Sequence, residues 1–172
     1  MTEGAPATPT DLFVRLTELN ISSTTLDHPA AHTVEELAVQ VGHLPGVHIK
    51  NLFFADAKKK MWLVVAPADL PLDLKKLATV IGAGRLSFGS ADRLMRVLGV
   101  TPGSVTPFAV INDRDGAVQL VLDAGMMEAE VINAHPLINT MTTTIKPDDL
   151  RRFVEACGHP PRLVDLKAAK PA

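Results

Sequence analysis

The run WLVVA at residues 62–66 constrains this chain more than any other segment. Its five consecutive apolar side chains show none of the alternation of a half-wet strand, so a strand made from them must be covered on both faces. Residues 49–55 read as a preceding strand and the ADAKKK stretch as the turn between, which predicts a hairpin whose return strand is central to a sheet. With 172 residues and 47% hydrophobic content the chain can bury such a core, and neither an internal repeat nor a linker divides it.

The flanking signals place the other elements. A flexible leader is expected over residues 1–9, followed by a helix capped by Thr10 with Leu12, Phe13, Leu16 and Leu19 on one face. Residues 21–27 suggest a short strand, and Thr33 with Glu36 forms a capping box for a helix that Gly42 stops. Residues 72–81 are amphipathic and end at Gly82, residues 85–88 are a short strand, and Ser90 caps the helix ADRLMRVL, ended by Gly99. Residues 108–112 and 117–123 read as strands joined by the turn DRDG. A short helical MMEAE follows, then a strand at 131–133, the turn AHPL, the strand TMTTTI, and a last helix opened by Pro147 and ended by Gly158. Helices and hairpins do not alternate in the rhythm of a doubly wound sheet. The expected fold is therefore α/β (α+β), a single domain over residues 10–166 with a mixed, largely antiparallel sheet surrounded by helices, and a short tail at 167–172.

Composition narrows the function. Seventeen basic against 19 acidic residues give a net charge near −2, so any polyanion would be held by local clusters such as Lys58, Lys59 and Lys60, Arg93 with Arg96, or Arg151 with Arg152. The lone Cys157 allows no internal disulfide and fits a reducing compartment. MTEGAPATPT lacks the order of a signal peptide and no apolar run approaches the ~20 residues of a membrane span, so a cytoplasmic protein without a membrane partner is expected. With no Tyr and one Trp, a base-stacking sheet is disfavoured.

Six histidines invite a metal reading, but Pro29 breaks the His28–His32 spacing, Pro45 and Gly46 break that of His43 and His48, and HEXXH is absent, so no metal is expected. Cys157 falls in the last turn of a helix, where the dipole opposes a thiolate. Ser104 with His135 and an aspartate would suggest a serine hydrolase, yet GSVTP lacks the second glycine of a nucleophile elbow. Lys50 opens KNLFF at the lip of a buried strand, either as a snorkelling surface lysine or as a group that holds a phosphate or polarises a carbonyl. Asn51 would point to the opposite face, so both serve one site only if the strand is bent or just beginning. In GVTPGSVTPF, residues 99–108, two prolines push Thr101 and Thr106 to extended conformations around Gly103. The loop is either a stiff connector or a set of free N–H donors at Gly103, Ser104, Val105 and Thr106 for a phosphate or oxyanion. His135, before Pro136, serves as base, donor or turn residue.

Taken in order, KNLFF with WLVVA, GRLSFGSADRLMRVLGVTPGSVTPFAVIND, VLDAG and NAHPLINTMTTT resemble the YbaK/ProX family of aminoacyl-tRNA editing domains, relatives of the insertion domain of bacterial prolyl-tRNA synthetase. Within it the chain is most similar to the freestanding Ala-tRNA(Pro) deacylases. The resemblance implies the editing-domain fold and hydrolysis of the ester that joins a wrong amino acid to the 3′-terminal adenosine of tRNA(Pro). It places the family's lysine on Lys50 with Asn51 beside it, its G-x-x-x-P loop on Gly103, Ser104, Val105, Thr106 and Pro107, and its histidine on His135. Ile49, Phe53, Val105 and Met127 would wall a pocket that admits a methyl group and refuses a pyrrolidine ring. The implied partners are the acceptor end of mischarged tRNA(Pro) and, transiently, prolyl-tRNA synthetase; neither metal nor cofactor is implied. The same reaction on Cys-, Ser- or Thr-charged tRNA, a noncatalytic tRNA- or nucleotide-binding module, and a serine hydrolase at Ser104 are the alternatives.

Overall fold

WLVVA lies inside an eight-stranded mixed sheet. In the computed structural model, which describes residues 4–31 and 33–172, the strands are β1 (Ser23–Asp27), β2 (Val47–Asp56), β3 (Met61–Pro67), β4 (Leu86–Phe88), β5 (Val118–Asp123), β6 (Ile132–Ala134), β7 (Met141–Ile145) and β8 (Arg162–Val164). The α-helices are α1 (Pro9–Glu18), α2 (Val34–Val41), α3 (Leu74–Ile81), α4 (Ala91–Leu98) and α5 (Pro147–Ala156). The sheet runs β1-β7-β6-β2-β3-β5-β8, with β4 also paired to β2. β1–β7, β2–β3, β2–β4 and β6–β7 are antiparallel, while β2–β6, β3–β5 and β5–β8 are parallel.

The expected hairpin forms, with Ile49↔Pro67 through Ala55↔Met61 in register. Every side chain of WLVVA is buried, because each face of β3 carries its own core. Leu63 and Val65 join Leu12, Leu16, Leu98 and Phe153 of α1, α4 and α5; Trp62, Val64 and Ala66 join Leu77 and Ile81 of α3. The caps at Thr33, Ser90, Gly82 and Gly99 stand where the sequence puts them. The first helix differs: Thr8, not Thr10, caps it in a reciprocal box with Asp11, and Pro9 takes the first position. Residues 1–3 of the expected leader, and His32, lie outside the described residues. From Ala7 on the chain is tied down, since Ala7 is buried and its N–H donates to Asn112 Oδ1 at 2.8 Å. At the other end, Ala169 is buried and accepts from the Asp73 N–H.

The expected strand at 108–112 is instead a 3-10 helix, Pro107–Asn112. Pro107 starts it, and Thr106 Oγ1 accepts from the Phe108 N–H. An unbroken apolar run is equally compatible with a buried helix, and here Phe108, Ala109 and Val110 are buried without ladder bonds. The DRDG turn forms, with Asp113 accepting from Ala117 N–H and Val118 N–H at 3.1 and 2.8 Å, yet it joins helix to strand rather than closing a hairpin. β5 pairs with β3 and with β8, a strand that sequence patterning missed. MMEAE supplies only the 3-10 turn Met126–Glu128.

Candidate active site

β2 changes partners along one edge. It pairs with β6 only at Val47↔Ile132 and His48↔Asn133, and with β4 from Phe54↔Phe88 to Asp56↔Leu86. Between these ladders, residues 49–52 have no strand partner on that edge among the described residues, while the Phe53 carbonyl accepts from the Gly89 N–H at 2.9 Å. Gly46 sets up the first ladder: its φ is +91°, and a Cβ there would lie 2.3 Å from the Val131 carbonyl oxygen. Asn133 Nδ2 donates to Pro45 O at 2.8 Å while its Oδ1 accepts from Thr144 Oγ1 at 2.6 Å, so one amide ties together the start of β2, β6 and β7.

Where β2 and β6 part lies a cavity of about 20 Å³, lined by His48, Ile49, Asn51, Asn133, Ala134, His135 and Thr142 and closed by Leu37 and Val41 of α2. His48 Nε2 and Asn51 Oδ1 are buried without a hydrogen-bond partner among the described residues. A volume of this size holds one water molecule, and two unsatisfied polar atoms are a strong reason for one to be there.

His135 follows β6 directly. Its Nδ1–H donates to the Met141 carbonyl at 2.8 Å, which leaves the lone pair on Nε2. Burial lowers its pKa against the raising effect of that hydrogen bond, and His28, with ring centroids 6.1 Å apart, lowers it further. A neutral imidazole with a free acceptor nitrogen can take a proton. His28 reaches it because β1 pairs with β7, and its Nε2 meets Thr142 Oγ1 at 2.8 Å. Spacing in the sequence gave no signal for His28 or His48 at this place.

Lys50 and Asn51 do occupy opposite faces, as the regular β2–β3 register requires. Lys50 Nζ donates to the Leu70 carbonyl on the α3 side, and burial lowers its pKa against the raising effect of Asp69. The strand is not bent between them. The unpaired stretch of edge lies between the two faces that carry them. In the loop, the Ser104 N–H is not free: it donates to Thr101 O at 2.9 Å within the 3-10 turn Pro102–Ser104. The N–H groups of Gly103, Val105 and Thr106 have no partner among the described residues. Gly103 is exposed, and a Cβ on it would stand 3.2 Å from Asn139 Nδ2, so the loop sits against the turn that carries His135. Pro107 is buried at the loop's far end. Ile49, Val105 and Met127 pack on the same core as buried Phe53, but only Ile49 lines the small cavity. Cys157 is set aside by its chemistry, since burial raises its pKa to about 11.

The family model for the aminoacyl-tRNA editing domain matches residues 28–153. The chain belongs to the aminoacyl-tRNA editing domain family. It is 36% identical to the prolyl-tRNA editing protein ProX of Acetoanaerobium sticklandii over 157 residues, covering 90% of this chain and 95% of that protein. To the prolyl-tRNA synthetase associated domain-containing protein 1 of Danio rerio it is 40% identical over 169 residues, covering 95% and 92%. A crystal structure of a candidate trans-editing enzyme for prolyl-tRNA synthetase superposes with a TM-score of 0.66 at 21% identity, over 89% of this chain and 90% of that one, and shares its fold. Lys50, Asn51, the 103–107 loop and His135 all fall inside the span of the editing-domain match, as do His28 and His48.

Proposed function

We propose that this editing domain works in trans on tRNA(Pro), hydrolysing the ester of a wrong amino acid, alanine foremost, and sparing Pro-tRNA(Pro). The observation that carries the reading is the cavity at the open edge of β2, where neutral His135 stands beside the unpartnered Asn51 Oδ1 and His48 Nε2. The names of the relatives, a prolyl-tRNA editing protein and a prolyl-tRNA synthetase associated domain protein, support the tRNA. A synthetic pocket built for proline rejects a smaller side chain by only about 10- to 200-fold, so a second, hydrolytic site is needed.

In this scheme the ester lies across the open edge. Water held in the cavity attacks the carbonyl carbon, the new C–O bond forms as the bond to the ribose 3′-oxygen breaks, and the departing oxygen takes up a proton. The substrate's 2′-hydroxyl and His135 Nε2 relay that proton, while the N–H groups of Gly103 and Val105 orient the carbonyl. Lys50 exchanges the Leu70 carbonyl for the terminal phosphate. Prolyl-tRNA synthetase is a transient partner and the cytoplasm the place of action. Among the described residues no helix is long and apolar enough to cross a membrane.

The test is release of alanine from Ala-tRNA(Pro), with Pro-tRNA(Pro) surviving as the control and Cys-, Ser- and Thr-charged tRNAs alongside. Lys50→Ala is expected to cut deacylation on the order of a hundredfold, the loss typical of one electrostatic contact in the transition state. Charged tRNA that binds yet keeps its alanine would leave a binding module instead.

A further inference from the structure

The β2–β3 turn carries Lys58, Lys59 and Lys60, all exposed, and none forms an ion pair with an acidic group among the described residues. Three adjacent like charges repel one another, so a turn that only needed to reverse the chain would not favour them. The backbone beneath is held firmly. Buried Asp56 Oδ1 accepts from Lys58 N–H and Lys60 N–H, each at 2.9 Å, and its Oδ2 accepts from Trp62 Nε1–H at 2.9 Å and Gly84 N–H at 3.1 Å. The carboxylate is thus spent on N–H groups and neutralises no ammonium. Lys59 sits at φ +65°, a left-handed position that suits glycine or asparagine, yet a lysine occupies it. Through Gly84 the same carboxylate anchors the neighbouring loop, and the Arg85 carbonyl accepts from the Ala57 N–H. Arg85 and Lys75 line one shallow surface cavity beside it.

We propose that this basic tip, Lys58, Lys59 and Lys60 with Arg85 at its side, is a preformed docking surface for the phosphodiester backbone of the RNA whose 3′ end lies at the open edge of β2. The proposal rests on the reading of a tRNA substrate given above. Ala57, just past the end of β2, is six residue steps from Asn51, about 20 Å at 3.4 Å per residue. That is far enough that the tip meets phosphates well away from the terminal adenosine and takes no part in the chemistry. With a net charge near −2, attraction of a polyanion falls to local surfaces of this kind, and of the basic clusters, Arg151 and Arg152 are already paired with Glu155 and Asp149.

The variant Lys58→Gln/Lys59→Gly/Lys60→Gln tests it. Asp56 binds backbone N–H groups, which all three replacements keep, and glycine relieves the left-handed position, so the turn stays formed. Binding of uncharged tRNA(Pro) is measured against salt concentration, together with deacylation of mischarged tRNA(Pro) and of a short 3′-aminoacyl-adenosine ester. The expected result is a salt slope shallower by about 0.9 for each lysine that meets a duplex phosphate, and a KM for charged tRNA raised about tenfold with kcat retained. Hydrolysis of the short ester should be unchanged. An unchanged slope and KM would overturn the docking surface, as would an equal loss on the short ester, or tighter binding of the parent protein to phosphatidylserine vesicles than to tRNA. Should the parent protein fail to release alanine at all, the editing reading falls, while the slope for uncharged tRNA still decides the tip.

Discussion

Two neighbours set the state of His135, the Met141 carbonyl six residues along the chain and, from far away in sequence, the His28 ring. The Met141 carbonyl holds the proton on Nδ1, and burial keeps the ring neutral below its ordinary value of 6.5. If the neutral ring relays the proton, kcat/KM for deacylation should fall only on the acid side, with a midpoint below 6.5. His135→Ala should cost roughly 10²- to 10⁴-fold and abolish that acid limb. A pH–rate profile of both proteins checks this, and an acid limb that persists in the variant would assign it to another group. The other residues of the site divide by visibility. Lys50 and Asn51 stand out in the sequence as polar residues opening an apolar strand. His48 and His28 do not, because only pairing between strands brings them near His135.

At the scale of elements, the site exists because β2 is longer than either strand that borders its outer edge. Its first residues pair with β6 and its last with β4, and the stretch between is left open. Gly46 makes the first pairing possible. Gly46→Ala combines left-handed strain of about 1–2 kcal/mol with a clash against the Val131 carbonyl of about 1–3 kcal/mol. Unfolding in urea should show a loss of roughly 2–5 kcal/mol. A loss under 1 kcal/mol would mean that β2 and β6 separate easily and that Gly46 does not hold them together. The loop of residues 102–107 is an element of the other kind, a rigid piece with two of its ends fixed by prolines. Gly103 is absent from the left-handed set, and what a Cβ there would meet is Asn139 Nδ2 at 3.2 Å.

Across the whole molecule, one buried ion pair joins the segment after the site loop to the end of α5. His159 Nε2 stands 2.8 Å from Asp113 Oδ2 and Nδ1 3.2 Å from the Cys157 carbonyl oxygen, two acceptors that together favour the protonated ring. The hydrogen bond to Asp113 raises the His159 pKa against burial. Burial alone would raise Asp113, but hydrogen bonds from His159, Val118 and Ala117 prevail and lower it. The His159 contribution is full below 6.5 and is lost as pH rises through its raised value. The Asp113 contribution is full above 3.8 and is lost as pH falls through its lowered value. Asp113→Ala should destabilise by about 3–5 kcal/mol near neutral pH and flatten both limbs of a thermal-unfolding profile against pH. The sequence by itself determined what local chemistry controls: the two-faced burial of WLVVA, its hairpin with β2, the helix caps at Thr33, Ser90, Gly82 and Gly99, and an ordered set of motifs specific enough to place the family. Tertiary structure alone decided that residues 107–112 coil rather than extend, that β5 lies parallel to β3, that His28 and His48 gather near His135, and that β2 keeps an open edge. Strand pairing and burial are settled between segments tens of residues apart, and an apolar run or a lone histidine carries no local mark of the partner it will meet.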